Sequence, residues 1–226
     1  MRRSRFLAAT VSLALILLAA AASAQPISYK LDPNHTEVGF SVRHFFSRVP
    51  GKFNKFEGTI QLDEKNWANS SVNATIDASS VDTNAEKRDN HLRTADFFDV
   101  EKYPTLTFKS TKVTPAGDKK LKVEGDLTIR GVTKPVVLDV DYLGAGDLNM
   151  GGGRPPMNKA GFEAKTKINR KDFGIVWNRA MDQGGAMLGD DVDIAILVEA
   201  DKFDPNAAAP AAAAPAKPAE KTADKK

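Results

Sequence analysis

The chain has 226 residues, with 32 Lys and Arg against 29 Asp and Glu, 42% hydrophobic residues and no cysteine. That length is ample for a sizeable core, and the lack of Cys excludes disulfide scaffolds, thiolate zinc sites, thiol nucleophiles and lipidated cysteines. A sequence pI near 9.0 points toward nucleic acid or an anionic membrane, unless the excess charge lies outside the fold.

Residues 1–24 read as a secretory signal peptide. Arg2, Arg3 and Arg5 precede an apolar run from Phe6 to Ala22, and Ala22-Ser23-Ala24 supplies small residues for a cut after Ala24. An uncleaved anchor is the competing reading, because the run is about as long as a marginal membrane span. Ordinary export of an unfolded chain is the expected outcome. At the other end, residues 205–226 are dominated by Ala, Pro and Lys. Proline forbids a continuous helix and no large apolar residue is present to bury, which predicts a disordered tail. Residues 25–204 between them hold 25 basic and 27 acidic side chains. The basic pI therefore belongs to the ends, and nucleic acid is not an expected partner.

Within 25–204 the dominant period is two. A short opening segment, Ile27–Leu31, leads to Val38/Phe40/Val42, Phe56/Gly58/Ile60/Leu62 and Val72/Ala74/Ile76. Leu106/Phe108, Leu121/Val123/Gly125/Leu127/Ile129 and Val136/Leu138/Val140/Tyr142 follow, then Phe162/Ala164/Thr166/Ile168 and Val192/Ile194/Ile196/Val198. Polar residues alternate with each set, as in antiparallel strands with one buried face. Turns are predicted at Pro50-Gly51, Gly117-Asp118 and Arg130-Gly131. Thr83-Asn84-Ala85-Glu86 fits a capping box for a helix over Ala85–Arg93. Gly144–Asn158, with five Gly and two Pro, predicts a mobile loop. Eight or nine strands and one helix favour a closed barrel or a sandwich. A membrane barrel is disfavoured by charged outward positions such as Arg43, Glu57, Asp126 and Asp139.

Signatures of common catalysis are missing: there is no Gly-x-Ser-x-Gly, His-Glu-x-x-His, Walker loop or dinucleotide fingerprint. None of His35, His44 and His91 is paired at i+3 or i+4 with another ligand type on a predicted helix, so no metal site is expected. Asp190-Asp191-x-Asp193 lacks the Gly and distal Glu of a calcium loop. The densest polar cluster, Arg88-Asp89-Asn90-His91-Leu92-Arg93, precedes Asp96-Phe97-Phe98. Asp89 and His91 are the only conceivable acid/base pair, yet i, i+2 residues diverge on a helix. A lid whose Leu92, Phe97 and Phe98 plug one barrel end is the simpler reading. Phenylalanine stands out: Phe40, Phe56, Phe108 and Phe162 sit on the apolar faces of four strands, with Phe45, Phe46, Phe53, Phe97 and Phe98 at strand ends or by the helix. A filled core and an aromatic-walled cavity are both open on this composition.

Three blocks carry a family resemblance. The first is Ser80-Val81-Asp82-Thr83 with Arg88-Asp89-x-His91-Leu92-Arg93-Thr94-x-Asp96-Phe97-Phe98-Asp99 and Tyr103-Pro104. The second runs from Gly125-Asp126-Leu127-Thr128-Ile129 to Gly131-Val132-Thr133-Lys134-Pro135, and the third joins Ala160-Gly161-Phe162 to Ile168-x-Arg170-x-Asp172-Phe173-Gly174. From about Tyr29 to Phe203 the chain resembles the YceI-like family of lipid- and polyisoprenoid-binding proteins. The resemblance implies an all-β, eight-stranded antiparallel lipocalin-like barrel with one short helix and an apolar channel.

It further implies a non-catalytic function: binding, transport or storage of a polyisoprenoid lipid or quinone, with no cofactor besides that ligand. Phe40, Val42, Phe45, Phe46, Phe56, Ile60, Phe97, Phe98, Phe108, Leu127, Ile129, Leu138 and Phe162 are then the expected channel residues. Arg88, Asp89, His91 and Arg93 would flank the entrance. Transient contact with a membrane surface and a homodimer are compatible with this reading. An enzyme acting on a barrel-bound lipid, and a stress-related interaction protein with a filled core, are the alternatives.

Overall fold

The computed structural model describes residues 25–153, 155–180 and 187–206; the predicted signal peptide and nearly all of the predicted tail lie outside them. Among the described residues, eleven strands are joined in one antiparallel sheet. They are β1 Ile27–Leu31, β2 Glu37–His44, β3 Ser47–Phe53, β4 Phe56–Leu62, β5 Ser71–Asp77 and β6 Val81–Asp82. After helix α1, Glu86–Arg93, come β7 Thr105–Gly117, β8 Lys120–Ile129, β9 Val132–Leu148, β10 Met157–Asn169 and β11 Leu188–Lys202.

Eight of these close into a ring in the order β1-β4-β5-β7-β8-β9-β10-β11, with β11 returning to β1 through Tyr29↔Lys202, Lys30↔Asp201 and Leu31↔Ala200. The short strands β2, β3 and β6 continue the same wall. β2 follows β1 along β11, β3 precedes β4, and β6 follows β5, so the first six strands act as three long ones, each interrupted once. The break between β1 and β2 is a side-chain-built turn: Asp32 Oδ1 accepts from Asn34 N at 2.9 Å, and Thr36 Oγ1 donates to Glu199 O at 2.9 Å. All nine predicted strand segments form; β3 and β6 were not anticipated.

The turn chemistry holds at two of three sites. Arg130 and Gly131, with φ of 50° and 72°, form the two-residue link between β8 and β9, where right-handed strand twist favours positive φ. Asp118-Lys119 links β7 to β8. Pro50-Gly51, by contrast, lies inside β3, and the chain reverses at Phe45-Phe46 instead. Gly51 serves close approach, since a Cβ there would stand 2.4 Å from Phe40 Cζ. The predicted loop Gly144–Asn158 shrinks to residues 149–156, because backbone pairing such as Gly144↔Gly161 and Asn158↔Asp147 extends both strands regardless of side-chain size.

The helix forms without its capping box. Ala85 stands at the N-cap with no side-chain cap, while Thr83 N and Oγ1 donate to Asp89 Oδ1. Asp89, 7% exposed, therefore caps the approach to the helix from within its first turns.

Gly125 tests how tightly the wall is packed. A Cβ there would meet Phe108 Cζ at 2.5 Å and Lys109 O at 2.7 Å, whereas Gly146 has nothing within 4 Å. Gly125→Ala is expected to cost ~1–3 kcal/mol in urea unfolding. Gly146→Ala should leave the midpoint unchanged within experimental scatter.

Candidate functional site

The inward faces of the strands are mostly apolar, with Thr166 on β10 an exception, yet they do not meet at the centre. Val192, Ile194, Ile196 and Val198 alternate inward along β11 and still remain only partly buried. They border a cavity of about 520 Å³, well within the roughly 300–1,000 Å³ typical of small-molecule sites. Of the two readings of the phenylalanines, the structure favours the aromatic-walled cavity over the filled core.

Most predicted channel residues face this cavity. Phe40, Val42, Phe56 and Ile60 do so from β2 and β4, and Phe108, Leu127 and Ile129 from β7 and β8. Leu138 and Phe162 contribute from β9 and β10, and Phe97 and Phe98 from the segment after α1. Phe53 and Phe98 pack edge to face at 5.5 Å, as do His91 and Phe97 at 5.0 Å. Phe45 and Phe46 do not line it. They form the two-residue tip of the β2–β3 hairpin, where the strand alternation ends, and are 39% and 100% exposed.

The two ends of the cavity differ. At the end where β4 finishes and β5 begins, Tyr142 donates to Glu64 Oε1 at 2.5 Å, and its ring packs between Trp67 and Phe162 at 5.2 and 5.4 Å. Tyr29, 1% exposed, donates to Asn158 Oδ1 at 2.8 Å. Burial first, and then the nearby Glu64 carboxylate, pushes both phenols above their usual value. These hydroxyls stay protonated and tie the floor shut.

The opposite end carries the polar groups. Thr83, Lys87, Arg88 and His91 line it from α1 and its approach, with His44, Arg170 and Trp177 across from them. Arg88 Nε donates to Thr83 Oγ1 at 2.6 Å and Nη2 to Thr83 O at 2.7 Å, which fixes its orientation at the mouth. Arg93 and Asp89, expected at the entrance, do not line it. Arg93 spends its donors on Ser79 O and Val81 O, fastening the helix to β6. Asp89 is taken by Thr83, and His91 Nε2 instead meets Asp96 Oδ2 at 2.8 Å. The conceivable Asp89/His91 pair thus has each member bonded elsewhere.

Sequence reasoning missed Arg170 as a site residue, though it stands in the third of the blocks that carry the family resemblance. Only 4% exposed, it donates to Gly189 O at 2.8 Å, Ile175 O at 2.7 Å and Trp177 O at 2.8 Å, and pairs with Asp190 at 3.1 Å. It orders a segment without strand pairing. That segment brings Trp177 to within 5.0 Å of His91 and 5.2 Å of Phe97, across the mouth. No period or motif marks Trp177.

One cluster has metal-ligand character: Asp32, His35 and Glu199 offer atoms within 4.8 Å of one another. Lys159 already occupies its centre, with Nζ 2.6 Å from Glu199, 2.8 Å from Asp201 and 3.2 Å from Asp32. The His35 hydrogen bond, helped by Asn34 N and Lys159, lowers the Asp32 carboxyl to about 2. His35 is raised from 6.5 by its bond to Asp32.

A model of the YceI-like domain matches residues 29–200. The chain is 46% identical over 186 residues to Protein YceI of Escherichia coli O157:H7, covering 81% of this chain and 91% of that one. It is similar to the crystal structure of the Campylobacter jejuni YCEI protein, with 35% identity, a TM-score of 0.61 and coverage of 77% and 97% of the two chains. A polyisoprenoid binding domain from Saccharophagus degradans shares the fold at 13% identity and a TM-score of 0.55, covering 78% and 99%.

Two measurements probe these polar groups. Arg170→Lys cannot reach three carbonyls in a fixed fork, so it should lose ~3 kcal/mol in urea unfolding. It should also raise tryptophan quenching by acrylamide as Trp177 loosens. For His35 the sign follows from its raised value: the stability it adds is complete below 6.5 and is lost as pH rises through the folded value. His35→Gln should flatten the fall in urea midpoint that the unaltered protein shows as pH rises above 6.5. The Asp32 contribution is lost only as pH falls toward about 2.

Proposed function

The chain belongs to the YceI-like family, and from that premise we propose that it is a periplasmic, non-catalytic carrier or store for a polyisoprenoid lipid of the isoprenoid-quinone type. The single observation that carries the reading is the apolar cavity of about 520 Å³ inside a closed barrel. Its middle is lined almost wholly by apolar side chains, while its mouth offers Arg88, His91 and Lys87 to a headgroup. Strands of 13 to 17 residues make up β7 and β9 to β11. At about 3.3 Å per residue they run roughly 40–55 Å, enough to sheathe much of an extended isoprenoid.

The energetics agree with reversible binding. At about 0.8 kcal/mol per buried methylene, ten or so carbons supply micromolar-scale affinity before ordering costs, and a longer tail offsets those. The shared fold of a polyisoprenoid binding domain supports the same ligand class. An enzyme is supported less well, since Asp89 and His91 are each held by another residue. Export through the leader at residues 1–24 and exchange of cargo at a membrane surface complete the reading.

The test is extraction of lipids from the exported, natively purified protein, followed by mass spectrometry. A co-purifying isoprenoid is the expected result. Ala164→Trp fills the cavity from β10 and should cut uptake of added ubiquinone at least about tenfold with the fold intact by circular dichroism. Neither bound lipid nor uptake of isoprenoid quinone by the unaltered protein would sink the carrier. Turnover of bound lipid that disappears in His91→Ala would establish the enzyme instead.

A further inference from the structure

The tip of the β2–β3 hairpin presents two aromatic rings to solvent at the mouth end of the barrel. Phe46 is 100% exposed and Phe45 is 39% exposed. Their loop has only two residues, between the paired His44 and Ser47. Phe45 also has φ of 51°, a conformation that Gly or Asn adopts at little cost and a Phe does not. Phe45 is thus held against local backbone preference, and Phe46 beside it stands fully in solvent. Strain kept in this way points to a use outside the fold.

The tip is built into the mouth. Phe45 N donates to Met187 O at 2.9 Å, and Met187 N to Arg179 O at 3.0 Å. His44, Met187 and Leu188 line the cavity, and the His44 ring meets Phe45 edge-on at 4.5 Å. Val176, 63% exposed, precedes Trp177 on the same rim. Of the three arginines beside the tip, one is paired with a carboxylate and, among the described residues, two are not. Arg48 is neutralised by Asp193. Arg43, which donates to Phe45 O at 3.1 Å, has no acidic partner among the described residues, nor has Arg179.

We propose that Phe45 and Phe46 insert into the interface of a phospholipid bilayer, with Arg43 and Arg179 against anionic headgroups, and so seat the cavity mouth on the membrane. Two exposed rings on a narrow projection suit the headgroup boundary, where aromatic side chains settle and guanidinium groups meet phosphate. A protein partner would call for a broader surface than a two-residue tip presents. The proposal rests on the carrier reading for its purpose, because docking lets an isoprenoid chain pass between bilayer and barrel without crossing water.

The experiment is flotation of the exported protein with vesicles of phosphatidylethanolamine and phosphatidylglycerol, with phosphatidylcholine vesicles as the neutral comparison. Phe46→Ser, and Phe45→Gly combined with Phe46→Ser, should weaken binding at least about tenfold. Because Phe45→Gly relieves the positive φ, the double variant should melt no lower than the unaltered protein. Arg43→Glu should weaken binding to phosphatidylglycerol vesicles and not to phosphatidylcholine. Uptake of detergent-solubilised ubiquinone should be unchanged in all three, while transfer from vesicles slows. Flotation equal to that of the unaltered protein overturns the proposal. So does a concentration-dependent dimer that these variants abolish, with no vesicle binding, since a second copy would then cover the tip. Flotation judges docking and detergent loading judges the carrier, so either can fail alone.

Discussion

The barrel depends on one closure, the pairing of β11 with both β1 and β2. Residues 200–202 meet Tyr29 to Leu31, and residues 188–197 meet Glu37 to His44. Without that seam the sheet would be an open ribbon with two exposed edges and an apolar face in water. With it, every inward side chain is removed from solvent at once, and the wall fixes the interior width. Eight strands leave room for side chains or for one ligand, and the side chains chosen here do not use all of it. The cavity is therefore a property of the ring as a whole.

Most polar groups that enter the interior brace that ring. Tyr29 and Tyr142 tie the floor through Asn158 and Glu64, while Arg170, Arg88 and Asp89 order the mouth by bonding to backbone and to Thr83. In each case a buried donor or acceptor is satisfied locally, as burial demands. The mouth end is mostly loop, helix and irregular chain, and it owes its shape to these few side chains more than to strand pairing. Lys159 plays the matching part outside the seam, gathering Asp32 from the β1–β2 turn and Glu199 and Asp201 from β11.

Alternation made most of this legible. The inward residues of the eight strands predicted by alternation emerge with the right parity, because a one-residue slip would expose an entire apolar face. What escaped was whatever alternation does not encode. Phe45-Phe46 looks like core from composition and is a hairpin tip. Pro50-Gly51 looks like a turn and is strand, its glycine yielding space to Phe40. Asp89 has the chemistry of an entrance residue, yet its partner Thr83 lies six positions away and takes it inside. Gly144 to Leu148 reads as loop because strands made of glycine are recognised by their partner's backbone, which a single sequence does not display. Arg170 and Trp177 act through contacts between segments that share no period.

The seam has a temporal consequence. It joins residues near 27–44 to residues near 188–202, almost the full separation the folded region allows. Contacts so distant along the chain form late, since the loop between them must first be ordered. Until β11 has been made and delivered, the hydrophobic chamber does not exist. A chain emerging N-terminus first therefore encloses nothing until its last strand is in place.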